Sequence, residues 1–452
     1  MPAARNTQPE TASPSVRERE LRVESRQREG SLLWLPTLFA AEAIPSAMIT
    51  FVALLMFLQL KIGWACSTLL CALLSLPWVL KSFVRQKVRN AGRFAYVLRG
   101  IEGAIFVMLV VLAFCFNGTA ESRYLVFAAL FVLCLFCAWH ELAARMYYER
   151  MLRPRQQRLY NSPKMFSSQT STIFTYGVMI VVVGSLEVFY HNRRHAIALS
   201  WSSAIYLLAG FYLLIMLYNF FVLRSPRIGD RRQNDSIGNA VRAEVHVIDR
   251  IAHKPHWLTV ILCLFFFLLP QSLMFYTRVL YLIAPSAAGG LGCSLQWIGW
   301  AQGTVGVMAF SLGLGLGYRL NWRHRLMWPQ AVAMPLSPVV YYLMTLYPPT
   351  GLPPLCVATF TAQLLFGFGL SACMVFIRYI SGERYRSTIN YLYIPLISLV
   401  MLPAVASSGW LVERIGFHLF FLIDMLLAIP AWLAAYLGFR FASAYPNKTP
   451  AA

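Results

Sequence analysis

The stretch LFAAEAIPSAMI, residues 38–49, sets a carboxylate, Glu42, three residues before Pro45 inside a run from Leu32 to Leu60 that carries no other charge. An acid in apolar surroundings costs ~2.5 kcal/mol or more to hold at the centre of a bilayer, so it must face water, pair with a partner or take a proton. Two readings therefore stand: a proton-coupling group on a wet path, or an acid paired to a neighbouring helix for stability. Pro45 removes a backbone donor and frees a carbonyl near residue 41, which bends the helix beside the acid. Glu102 and Glu141 lie in further apolar runs and join Glu42 as proton-coupling candidates. Arg99 and Glu102 are three residues apart, a spacing that favours an ion pair on one helix face. His140 and Glu141 fall toward the end of their run, where a gate or interfacial water would account for them. Asp424 reads as a structural hydrogen-bond acceptor.

Arg278, in LLPQSLMFYTRVLYLI, is the basic residue most suited to a substrate anion, being deep in its run yet near enough to the end to snorkel. Gln271 has the spacing to share its helix face, and Gln302 and Gln363 lie in other runs. Uncharged amides in lipid hydrogen-bond a neighbouring helix, whereas in a cavity they can read the hydroxyls or amides of a sugar. Trp139, Phe275, Tyr276, Trp297 and Trp300 can stack on a sugar or serve as packing and interface anchors.

These groups need elements that hold them in lipid, and the composition provides them. Of 452 residues 58% are hydrophobic and 14% aromatic, well beyond the roughly 45–50% apolar share of a soluble domain. A helix of about 20 apolar residues crosses the hydrocarbon core. Twelve such windows fall near 32–60, 62–84, 94–116, 124–146, 171–190, 197–223, 257–284, 295–317, 326–346, 353–377, 387–411 and 417–440. Residues 1–30 read as a disordered cytoplasmic tail, because they lack the apolar segment of a signal peptide. The net charge of +21 is explained by placement. With the N-terminus inside, the tails and the loops after even-numbered spans hold 32 Lys and Arg against 5 on the other side, which places both termini in the cytoplasm and speaks against a nucleic-acid partner. The nine cysteines are scattered through apolar runs as small hydrophobes.

The polar stretch 224–256 divides the spans six and six, as a cytoplasmic linker in which IGNAVRAEVHVIDRIAH has the spacing of a short amphipathic helix. Basic turns recur after the second and eighth spans and after the fourth and tenth, the mark of a parallel repeat. The expected architecture is an all-α polytopic membrane protein of the major facilitator fold, with 12 transmembrane helices in two six-helix bundles, 31–223 and 257–441, followed by a tail at 442–452. No metal-ligand cluster, nucleophile elbow or Walker sequence is present, so the reading is a non-enzyme without cofactor or metal, driven by an ion gradient or by facilitation.

Longer stretches carry a resemblance. AEAIPSAMI, LLSLPWVLK, WPQAVAMPLSPVVYYLMTLYP and the segment from QLLFGFGLSACM to DMLLAIPAW resemble the AmpG-type muropeptide permeases of the major facilitator superfamily, in the peptide/acetyl-CoA transporter-like group. The resemblance spans most of residues 32–440. It implies proton-coupled import of cell-wall turnover products, such as GlcNAc-anhydro-MurNAc with or without peptide, across a bacterial inner membrane. The motif positions are Glu42 and Pro45, Pro77 and Lys81, and Gly367 and Gly369. Where that group continues from LPWVLK to an Asp that latches the inner gate, this chain reads SFVRQKVRN, with Arg85 and Arg89. In a muropeptide carrier the substrate's carboxylates would suit Arg278 or Lys81, its sugar hydroxyls would suit Gln271 and Gln363, and protonation of Glu42 would bias the inward against the outward state. The expected partners are a small-molecule substrate and the lipid bilayer, for a monomer. Siderophore, acetyl-CoA or drug transport, or a non-transporting membrane sensor, are the alternatives.

Overall fold

A computed structural model describes residues 14–79, 81, 94–116, 119, 121–223, 257–320, 327–381 and 386–443. Its helical elements join into twelve segments among these residues. We number them α1 (14–59), α2 (Trp64–Val79), α3 (Phe94–Cys115), α4 (Ser122–Met151), α5 (154–189), α6 (Ala196–Val222), α7 (Trp257–Ile283), α8 (295–320), α9 (327–346), α10 (Leu352–Ser381), α11 (386–415) and α12 (417–443). Among the described residues eight helical stretches are long and apolar enough to cross a membrane, the last of them, Met401–Gly438, running from α11 into α12. The remaining segments escape a simple length-and-hydropathy test for visible reasons. α2 is short, α8 is interrupted by the polar and glycine-rich turn GWAQGTVG, and α9 contains the helix-breaking pair Pro335 and Pro338. α11 runs into α12 through Gly416, whose φ of 76° only glycine adopts without strain.

Two helices begin well before their apolar runs. α1 starts at Pro14, so part of the segment expected to be a disordered tail is helical. Its RERELRVESRQRE stretch is built from strong helix formers, and proline is tolerated in a first helical turn. α5 starts at Pro154 rather than near 171. Gln156 accepts from the Arg153 amide at 3.0 Å as half of a capping box, and the nineteen residues Pro154–Thr172 are mostly polar and precede the apolar part. The 224–256 linker, with its amphipathic pattern, and the Arg85/Arg89 turn lie outside the described residues.

The packing has a twofold logic. α1 packs on α4, α5 and α6, and α3 on α4 and α6; in the second set α7 packs on α11 and α12, and α9 on α10. Two seams join the sets, α2 against α11 and α5 against α8. Advancing every helix by six positions exchanges one seam for the other, as expected of parallel repeats related by an axis along the membrane normal. A further trace of the repeat is proline. Pro45 interrupts α1 and Pro270 interrupts α7 at matching places. The glycines expected to allow close helix contact do so: Gly313 abuts Leu364 of α10, Gly317 abuts Ser371, Gly367 meets Phe310 and Gly369 meets Met334. Gly315 faces open space instead.

Both seams concentrate on the face opposite the chain's N-terminus, hereafter the far face. There the Ala65 amide donates to Glu413 at 2.9 Å, and Thr68 donates to the Ala406 carbonyl and accepts from the Gly409 amide, at 3.2 and 3.3 Å. On the other seam Gln296 donates to Ser185 at 3.2 Å, and Gly177 and Gly303 bring the α5 and α8 backbones together so closely that a Cβ on Gly303 would overlap the Tyr176 carbonyl.

Candidate functional site

One polar centre lies inside the first six helices. Beyond Pro45 the helix cannot close its usual ladder, and Ser46 donates to the Glu42 carbonyl at 2.7 Å while residues 48–52 widen into a π-helical turn. Glu42 is half-buried, and its Oε2 is buried without a hydrogen-bond partner. Within its electrostatic reach are Glu141, His140 and Arg145 on α4 and Lys164 on α5. Lys81 donates to Glu141 Oε2 at 2.6 Å, with Arg145 at 3.7 Å from the other oxygen. Lys81 is thereby engaged by an acid of its own half. Lys164 Nζ sits 4.3 Å from the Phe39 ring centroid and 5.3 Å from that of Tyr148, a cation held on aromatic faces. By hydropathy alone Lys164 falls between the spans 124–146 and 171–190, in the basic turn after the fourth. Because α5 begins at Pro154, it lies on a helix and faces the acid of α1.

Behind this centre Glu102, His140 and Asn219 are fully buried. Glu102 Oε1 accepts from Asn219 at 2.8 Å and lies 3.3 Å from His140 Nε2. The expected Arg99–Glu102 pair does not form. Arg99 instead donates to the Leu223 carbonyl at 2.7 Å and lies over the Phe220 ring at 4.7 Å. Leu223 closes α6, where helical carbonyls lack intrahelical donors and the dipole favours a cation, so the end of α6 outcompetes the acid three residues away. His140, expected at an interface or gate, is enclosed. Asp424 also departs from expectation. It is 1% exposed and both its carboxylate oxygens lack hydrogen-bond partners among the described residues, so it accepts from none of them.

The second centre lies at the meeting of the halves. Arg278 on α7 is 7% exposed, its Nε is buried without a partner, and no carboxylate pairs with it among the described residues. Its guanidinium lies 5.3 Å from the Phe275 ring centroid and within electrostatic reach of the hydroxyls of Tyr176, Tyr276 and Tyr341. Gln302 donates to the Tyr341 hydroxyl at 2.9 Å, and Gln363 donates to Gln302 at 3.3 Å. Gln271 does not join this group as expected from its spacing. Its amide donates to the Met334 carbonyl at 2.9 Å, a carbonyl that Pro338, four positions on, cannot serve and that otherwise accepts only the Ser337 amide of a 3-10 turn. Gln271 is thus a clamp between α7 and α9.

The architecture is that of the major facilitator fold. Similar solved structures include a bacterial homologue of the human lysosomal transporter Spinster in an inward-facing, unoccupied conformation, with a TM-score of 0.68 at 13% identity over 94% of this chain and 99% of that one. The nucleoside transporter NupG matches with a TM-score of 0.63 at 13% identity over 91% of this chain and 99% of the other. A D-xylose–proton symporter matches at 0.59 and 15%, covering 93% and 98%. No family model matches the sequence, and no curated protein does. At these identities the likeness establishes the fold of a polytopic membrane protein.

Proposed function

We propose that this chain is a secondary active transporter that imports cell-wall muropeptides, GlcNAc-anhydro-MurNAc with or without peptide, together with protons by alternating access. It would act as a monomer in a bacterial inner membrane with both termini in the cytoplasm, its two bundles 31–223 and 257–441 rocking about the solute. The observation that carries the reading is Arg278, a buried guanidinium between the halves with no acid paired to it among the described residues. A buried charge without a partner is costly, and a substrate carboxylate would relieve that cost. The lactyl carboxylate of anhydro-MurNAc supplies one where no peptide is attached and the peptide's own carboxylates supply one where it is, and the Gln302–Gln363 amides lie in the same half to meet sugar groups.

Proton coupling is assigned to Glu42, which combines partial exposure with an unpartnered oxygen and a cluster of charges on α4 and α5. Glu141 would exchange Lys81 between itself and the substrate as the cavity opens and closes, and Glu102 would hold α4 in register from behind. Proteoliposomes with an imposed pH gradient and labelled GlcNAc-anhydro-MurNAc test this. Glu42→Gln should abolish gradient-driven accumulation while leaving counterflow intact. Accumulation at the unsubstituted rate would remove Glu42 from the coupling, and absence of any uptake by the unsubstituted protein would remove the muropeptide.

A further inference from the structure

Three π-helical turns occur among the described residues: Met48–Val52 in α1, Ile173–Val178 in α5 and Gly299–Gly306 in α8. They belong to three helices far apart in sequence, yet they meet. The first contacts the second, and the second packs on the third through Gly177 and Gly303. A π-turn inserts a residue into the helix, rotates the side chains that follow and is enriched at functional positions. Each turn contributes one side chain to the cluster of rings and amides that surrounds Phe275, Tyr341 and Arg278. Phe51, from the first, stacks on Tyr176, from the second, with ring centroids 5.1 Å apart and planes 16° from parallel. Phe51 also lies 6.1 Å from Phe275, the ring beneath the Arg278 guanidinium. Gln302, from the third, fixes the hydroxyl of Tyr341. The Tyr176 hydroxyl has no hydrogen bond among the described residues, and Tyr176 belongs to the opposite half from Arg278.

We propose that the three π-turns build a carboxylate clamp across the halves, in which Arg278 receives the anion and the Tyr176 hydroxyl donates to the same oxyanion from the other side. The proposal rests on the reading of Arg278 as an anion contact and adds the group that makes anion binding close the seam. It also restricts the ligand. A planar carboxylate matches one guanidinium fork plus one hydroxyl, whereas a tetrahedral phosphate presents more oxygens than these donors can serve. The faces of Phe51 and Phe275 favour a carboxylate borne on or beside a ring.

The test uses the full chain in lipid nanodiscs with benzoate as the probe, and benzamide and inorganic phosphate as neutral and tetrahedral controls. Binding is read by thermal stabilisation and intrinsic fluorescence. Benzoate should stabilise the unsubstituted protein; Tyr176→Phe should weaken it about tenfold, the loss expected for one hydrogen bond to a charged group. Arg278→Gln should abolish it, and neither control should match it. Should Tyr176→Phe lose its fold, Phe51→Leu keeps every donor while removing the ring that orients Tyr176, and is expected to weaken benzoate severalfold. Full benzoate affinity in either folded variant, or equal binding of benzamide, overturns the clamp. Benzoate binding without any stabilisation by GlcNAc-anhydro-MurNAc upholds the clamp and removes the muropeptide reading.

Discussion

Glu413 is an exposed acid at the far end of α11, and its Oε1 accepts the Ala65 amide at 2.9 Å in the first turn of α2. The bond joins the halves and places a negative charge at a helix N-terminus, where unsatisfied amides and the helix dipole favour it. Side-chain caps of this kind contribute about 1 kcal/mol, and exposure argues against more. The bond exists only while the far face is closed, so Glu413→Ala should cost the closed state that amount and raise the ratio of far-open to far-closed molecules about fivefold. Glu413→Gln keeps an acceptor but loses the charge, and should shift the ratio less. Spin labels on the far ends of α2 and α11 in a cysteine-depleted background, read by pulsed dipolar spectroscopy, would show a longer-distance population growing in that order. Superimposable distance distributions for the unsubstituted protein and Glu413→Ala would show that the cap does not bias the equilibrium, and a shift toward shorter distances would reverse the reasoning.

Gly303→Ala should act on the other seam in the same direction and more strongly. Its Cβ meets the Tyr176 backbone rather than a movable side chain, overpacking of this kind costs ~1–3 kcal/mol, and the same distance measurement across α5 and α8 checks it. Asp424→Asn or Asp424→Leu should leave thermal stability unchanged or raise it, because the carboxyl it removes is buried and has no hydrogen bond to lose. A fall in melting temperature for both variants would contradict that account.

Most of the spans were legible in the sequence because crossing lipid demands long apolar runs, and such runs have few alternative explanations. The beginnings of α1 and α5 were not, since a helix that leaves the bilayer or faces a polar interior loses the hydropathy signal while keeping its backbone ladder. Lys164 was missed for that reason, although the Pro154–Gln156 start is visible as a proline one residue past a capping position. Side-chain partners were least legible. Spacing made an Arg99–Glu102 pair available, but the end of α6 and the Asn219 amide offered each residue a better partner from distant parts of the chain. Gln271 and Arg278 share a helix face by period, and the proline in α9 drew the amide away. The π-turns leave no compositional mark beyond Pro45 near the first of them, because hydrogen-bond register follows from tertiary packing.

In a transporter that alternates access as proposed, the far-face seam has to be both closed and ready to open. Among the described residues its hydrogen bonds are Ala65–Glu413, the two made by Thr68, and Gln296–Ser185, and none of these is a salt bridge. At roughly 0.5–1.5 kcal/mol each, they hold the face by a few kcal/mol together. Inverting a 99:1 equilibrium takes about 5.5 kcal/mol of differential affinity, so a seam of this strength is within reach of one ligand that binds both halves in only one state. A network of buried ion pairs would have put the switch beyond a single anion, while an apolar seam would have given it no directional bonds to re-form. Contacts that are weak and set by backbone geometry meet both requirements, and on the proposed reading they leave the control of opening to the centre, where the Arg278 guanidinium lies within electrostatic reach of Tyr176 in the other half.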